Sequence, residues 1–213
     1  MEAILKWLMA NFTNSVLPWL SLVVAVGFPL LLEYLKRPRI DIVPMSGGVG
    51  DEEGFRFLHV QVYNRPRIRL PLRWLTILPL SGSLVRLRYF RSGEPLFRDV
   101  IGIWTDRPRP VVNNQYDSER AAEAQLLDLP AKDQPYLVPV AIKLKGQETA
   151  YGFHAESYRY DNLCDPELQL PAKSQVELSV RVEGGGPKQR EFRFMIENFG
   201  LDLQSFVIQK KKS

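Results

Sequence analysis

The hydrophobic pattern of this chain changes character once. From Trp7 to Leu32 there is no charged residue, and apolar residues fall on every face of any helix drawn through the run, unlike the single stripe of a soluble surface helix. Taken as a helix, Val16 to Leu35 would cover about 30 Å, the thickness of a bilayer hydrocarbon core. Asn11, Asn14 and Pro18 divide the run. The pattern predicts an N-terminal interfacial segment over 1–15 and a transmembrane helix over 16–36. Pro29 lies inside that helix, where neighbouring groups in a membrane can satisfy a freed carbonyl. The run closes on "LLLEYLKRPR" without the small-residue site that marks a cleaved signal peptide, so it reads as a retained anchor.

After Pro38 the period drops to two. "RIDIV" alternates, and "FRFLHVQVY" sets Leu58, Val60 and Val62 against Phe57, His59, Gln61 and Tyr63. "LVRLRYF" sets Val85, Leu87 and Tyr89 against Arg86 and Arg88. "LFRDVIGIW", "YLVPVAIKL", "TAYGFHA", "VELSVRVEG" and "EFRFMIENF" follow, separated by Gly, Pro, Asn and Asp. "VRVEGGGPKQREFRF" has the form of a hairpin. One soluble helix is expected, "SERAAEAQLL" (118–127), with Ser118 as its N-cap. About eight strands with few helices predict an all-β fold: an antiparallel β-sandwich, immunoglobulin-like or a related Greek key, over 37–208. A short basic tail, 209–213, is expected to fray.

Composition adds little to this division. Of 213 residues, 45% are hydrophobic and 24% charged, which excludes wholesale disorder. The one cysteine, Cys164, cannot form an internal disulfide, so the domain is not a stapled secreted module. The net charge of +4 matters less than its placement. Lys36, Arg37 and Arg39 flank the C-terminal end of the apolar run, against Lys6 and Glu2 at the other end. The positive-inside rule then puts the C-terminal domain in the cytoplasm, below a cell-membrane anchor.

The apolar start, the juxtamembrane "KRPRI", the strand "FLHVQVYN", the later "IWTDRPRP" and the segment "YGFHAESYRYDN" together resemble uncharacterised prokaryotic single-pass membrane proteins with a C-terminal β-sandwich domain. The resemblance implies that architecture. It supplies no catalytic or cofactor residues to carry over.

Of the two histidines, His59 sits mid-strand among aromatics. His154, in "GFHAES", would share a strand face with Glu156 while Ser157 faces away, the wrong geometry for a triad. Asp161, Asn162, Cys164 and Asp165 lie downstream, but paired Cys or His ligands at zinc spacing are absent and Asp and Asn are ordinary turn residues. "SGGVGDEEG" and "VEGGGPK" have glycines but no following helix to build a phosphate loop. No cofactor or metal is therefore implied, and no catalytic residue is assigned.

The strongest non-random feature is a stretch from Phe55 to Gly93 with no Asp or Glu and eight arginines. Within it, "NRPRIRLPLRWL" (Asn64 to Leu75) interleaves Arg65, Arg67, Arg69 and Arg73 with apolar residues and Trp74. Such a segment suits an anionic headgroup surface. Nucleic acid is a weaker match, since no nucleic-acid-binding motif accompanies the charge. The expected function is a membrane-anchored interaction module without enzymatic activity. Its partners would be the lipid bilayer, anionic headgroups and an unidentified protein, engaged through the loops Asn64 to Leu75, Arg107 to Tyr116 and Asp161 to Pro171. Two alternatives stand beside it: a metal-dependent or hydrolytic enzyme using the His154–Asp165 segment, and an accessory subunit of a membrane complex.

Overall fold

A computed structural model describes Glu2 and residues 17–37, 39–45, 54–65, 79–130, 134–184 and 191–211. The chain divides into two units, one of residues 1–37 with 66–78, the other of residues 38–65 with 79–213. In the first unit, helix α1 (Leu17–Lys36) has Pro29 inside it and Lys36 in its last turn. Trp19, Val23, Phe28 and Leu30 are each more than half exposed. The helix is long and apolar enough to cross a membrane.

The second unit is built of antiparallel β-strands: β1 (Arg39–Pro44), β2 (Phe55–Arg65), β3 (Leu80–Arg91), β4 (Glu94–Pro95), β5 (Val100–Ile101), β6 (Val111–Val112), β7 (Gln115–Tyr116), β8 (Leu127–Leu129), β9 (Tyr136–Leu144), β10 (Ala150–Gly152), β11 (Gln169–Leu170), β12 (Ser174–Glu183), β13 (Phe192–Asn198) and β14 (Phe206–Lys210), with helix α2 (Ser118–Gln125) after β7. One sheet runs β1-β2-β9-β10-β11. A second runs β14-β13-β12-β3-β4, with β5 and β8 also on β3. β6 and β7 form a small hairpin.

The alternation expected of the long strands is what buries them. Leu58, Val60 and Val62 of β2 and Val138 of β9 share one apolar cluster with Val85, Leu87 and Tyr89 of β3, Leu178 and Val180 of β12 and Phe194 of β13. Both sheets thus contribute to a single core. A second cluster joins Ile142 and Phe153 to the alanine face of α2, Ala121 and Ala124, with Phe57 and Tyr158 against it.

Where β2 meets β9, the register slips: Leu58 opposes Ala141 but His59 opposes Pro139, so Val140 has no residue opposite it. Pro139 has no N–H for a regular ladder, and a bulge accommodates it. The Val140 carbonyl accepts the Phe153 N–H at 3.0 Å and the buried Tyr89 hydroxyl.

Four local expectations are corrected. "LFRDVIGIW" pairs only at β5; beyond it Trp104 is buried and its indole N–H lies 3.1 Å from the Ser83 and Gln125 carbonyls, contacts a continued strand would not reach. "TAYGFHA" is a strand only through Gly152, and a 3₁₀ turn, Ala155–Arg159, replaces the rest. The cap of α2 is Asp117, whose carboxylate accepts from the Glu119 and Arg120 amides. The tail is not frayed at its start: Gln209 and Lys210 lie in β14 opposite Met195 and Phe194.

Candidate functional site

Register decides where the membrane-flanking and basic residues fall. Arg37 pairs with Glu33 one turn back in α1, at 3.3 Å. Arg39 opens β1 and lies directly opposite Arg65, the last residue of β2. Chain entry and the start of the arginine-rich segment therefore meet at one end of the first sheet. Arg65 reaches Asp41 at 3.2 Å, and its guanidinium carbon sits 4.2 Å from the Tyr63 ring centre. Asp41 and Tyr63 are cross-strand partners, so the three side chains form one surface row. An exposed pair of this kind contributes about 0–1 kcal/mol. Arg67, Arg69, Arg73 and Trp74 lie outside the described residues.

Two further arginines of the acid-free stretch, Arg86 and Arg88, are neutralised from elsewhere in the chain. Arg86 makes a two-point contact with Glu183, at 3.0 and 3.1 Å, and Arg181, its cross-strand neighbour, shares the same carboxylate. Arg88 grips Asp99 with Nε at 2.6 Å. Hydrogen bonds from Arg88 and Arg86 hold the Asp99 and Glu183 carboxyls below their usual range. Arg56 is buried and donates to the Phe206 carbonyl and the Gln204 side chain.

The His154 segment assembles in part. His154 Nε2 lies 2.9 Å from Asp165 Oδ2, both side chains buried. The other Asp165 oxygen accepts the Glu167 amide at 2.9 Å, capping the 3₁₀ turn Pro166–Leu168. The Ser157 hydroxyl accepts the backbone N–H of His154 at 3.2 Å. Glu156 approaches Arg98 instead, at 3.9 Å, and Asp161 is exposed in a separate 3₁₀ turn. The pair thus clamps two turns together. Burial raises the Cys164 thiol to about 11, so at neutral pH it is a thiol, not the nucleophilic thiolate. Among the described residues, no group of three or more His, Cys, Asp and Glu stands ready for a metal ion.

Of the loops expected to engage partners, Arg107 to Tyr116 holds the β6–β7 hairpin, turned by Asn113 and Asn114 at φ 50° and 62°, the asparagine-favoured geometry for a tight hairpin. Arg107 Nε donates to the Leu126 carbonyl at 2.9 Å.

Sequence reasoning left Lys143 unremarked and did not foresee how fully His59 is covered. Lys143 is fully buried in β9 and donates to Asn198 Oδ1 at 2.6 Å and to the Gly200 carbonyl. Desolvation lowers its pKa, while Asp202 and Glu148 oppose the shift. His59 is buried with Nδ1 unpartnered, and desolvation holds its ring at about 4, against the raising effect of a hydrogen bond to the Phe57 backbone. Both sit at positions where alternation alone could not separate an outward residue from a covered one. No protein-family model, curated protein or solved structure matches the chain.

Proposed function

We propose that this chain is a single-pass membrane protein whose β domain stands at the cytoplasmic face as a non-enzymatic interaction module. The observation that carries this reading is the Arg39–Arg65 register. It sets Arg65, the residue from which the basic segment departs, opposite Arg39, one residue after the juxtamembrane Pro38, and this supports reading that segment as a headgroup contact. Each basic side chain near an anionic surface is worth about 1 kcal/mol, less when salt screens it, and tethering makes such weak contacts effective. Two antiparallel sheets sharing one core support a β-sandwich of immunoglobulin-like or related Greek-key type. Lys36, Arg37 and Arg39 support the cytoplasmic orientation. An unidentified protein partner, reached through the end loops, completes the reading.

The test is vesicle binding by a fragment beginning at Arg37. It should sediment with vesicles containing anionic lipid, bind less as salt rises, and lose binding when Arg65, Arg67, Arg69 and Arg73 become glutamate. Equal binding to neutral vesicles, or indifference to the four substitutions, would remove the lipid contact from the proposal.

A further inference from the structure

Three large apolar side chains are exposed among the described residues of the β unit, and two of them sit together. Phe199 and Leu201, 50% and 54% exposed, flank Gly200 in the connection from β13 to β14, while Leu126 stands apart after α2. The connection is pinned from beneath. Near its start, Asn198 Oδ1 and the Gly200 carbonyl accept from the buried Lys143 ammonium. Near its end, Arg56, the cross-strand partner of Lys143, donates to Gln204 and to the Phe206 carbonyl. Asp202 accepts the Gln204 amide at 3.1 Å, and Leu203 is buried. Gly200 has φ 148°, a conformation that favours glycine. Two buried cations thus hold a tip whose apolar side chains face outward.

We propose, on the membrane-anchored reading above, that this tip inserts into the bilayer as a second attachment of the domain. Three observations favour lipid over a protein socket or a second copy of the chain. A helix long and apolar enough to cross a membrane lies in the same chain, and such a tether keeps the bilayer at a high effective concentration, where a weak contact suffices. Two half-covered side chains offer about 200 Å² of apolar surface, against about 800 Å² per partner in a stable protein interface. Entry into an apolar phase also requires the backbone polar groups to be met within the protein. The Gly200 carbonyl is turned onto Lys143, and the Asp202 carbonyl accepts the Ser205 amide and hydroxyl. Asp202, beside the tip, would be repelled by anionic headgroups, so this contact is apolar, needs no anionic lipid and persists in salt. It is separate from the headgroup contact of the basic segment, which leaves β2 at Arg65, about 30 Å along the strand from Arg56.

The experiment uses the full chain in phosphatidylcholine nanodiscs. Cys164→Ala leaves the chain free of thiols, and a nitrobenzoxadiazole probe is attached at Leu201→Cys or, as reference, at Asn113→Cys on the exposed β6–β7 hairpin. Elution of the chain with the discs tests the anchor separately. The probe at 201 should emit at shorter wavelength than the reference and be quenched about threefold more by nitroxide-labelled lipid, equally at low and high salt. Adding Phe199→Ser should cut that quenching about threefold, through lost apolar area, with an unchanged Tm. Equal quenching at the two positions, quenching that appears only with anionic lipid, or indifference to Phe199→Ser would each overturn the insertion and leave the anchor standing. A chain that fails to enter the discs would overturn both.

Discussion

Lys143 Nζ donates to Asn198 Oδ1 at 2.6 Å, joining β9 of one sheet to β13 of the other. The Asn198 amide donates in turn to the Glu148 carbonyl at 2.8 Å, so the asparagine fixes both the lysine and the loop after β9. Removing Asn198 leaves the buried ammonium with the Gly200 carbonyl as its acceptor, and a buried ammonium that loses an acceptor costs more than the bond was worth. Asn198→Ala should destabilise the domain by about 2–4 kcal/mol. Lys143→Met, which removes the charge and keeps the volume, should cost less. The double variant should lose less than the sum of the two, because they share one interaction. Denaturant melts of the four proteins decide the matter; strict additivity would mean the two residues act independently.

The bulge at Val140 makes a second prediction. Its carbonyl accepts the Tyr89 hydroxyl inside the core, and without it would keep only the Phe153 N–H. Tyr89→Phe should cost about 1–3 kcal/mol. Gly152 lies against the same ring: a Cβ there would sit 3.2 Å from Tyr89 Cζ. Gly152→Ala should therefore destabilise by about 1–3 kcal/mol through overpacking. Thermal melts showing either variant as stable as the parent would contradict this packing.

His59 gives stability a pH dependence of defined sign. Its ring titrates near 6.5 when exposed and at about 4 when folded. Between those values the unfolded chain holds more protons, so stability falls as pH drops from about 6.5 to about 4, by about 3 kcal/mol in total. The stability it contributes is present above 6.5 and lost as pH falls through 4. His59→Leu should flatten that window in chemical denaturation, while the lowered carboxyls of Asp99 and Glu183 leave a separate loss at lower pH. An unchanged slope in the variant would assign the dependence to other groups.

The long strands were legible because one face of each meets a core, and Leu58, Val60, Val62, Val85, Leu87 and Tyr89 announce that face at every second position. The break after Gly152 was not legible. It depends on His154 finding Asp165 eleven residues on, a tertiary pairing that no local period records. The α2 cap moved by one position because Asp117 and Ser118 are both competent caps and sit side by side. Charge misled for a related reason: Arg86 looks unneutralised along the chain, yet its carboxylate is 97 residues away and arrives through strand pairing. The Arg39–Arg65 register could be drawn only once β1 and β2 were known to pair.

Orientation and autonomy of the β domain form the last prediction. Both apolar clusters, with the side chains packed on them, are built wholly of residues from Ile40 onward, so the core can close without the apolar helix. A fragment beginning at Arg37 should unfold cooperatively with β-type circular dichroism. A gradual melt would show that the helix, or a partner, completes the core. In the full chain, Lys36, Arg37 and Arg39 should hold this domain in the cytoplasm. A reporter active only in that compartment, fused after Ser213, should give signal, and exchanging the three basic residues for glutamine should reduce it by weakening the orientation bias. Signal only from an exported reporter would invert the topology and place the basic end of the domain on the opposite membrane face.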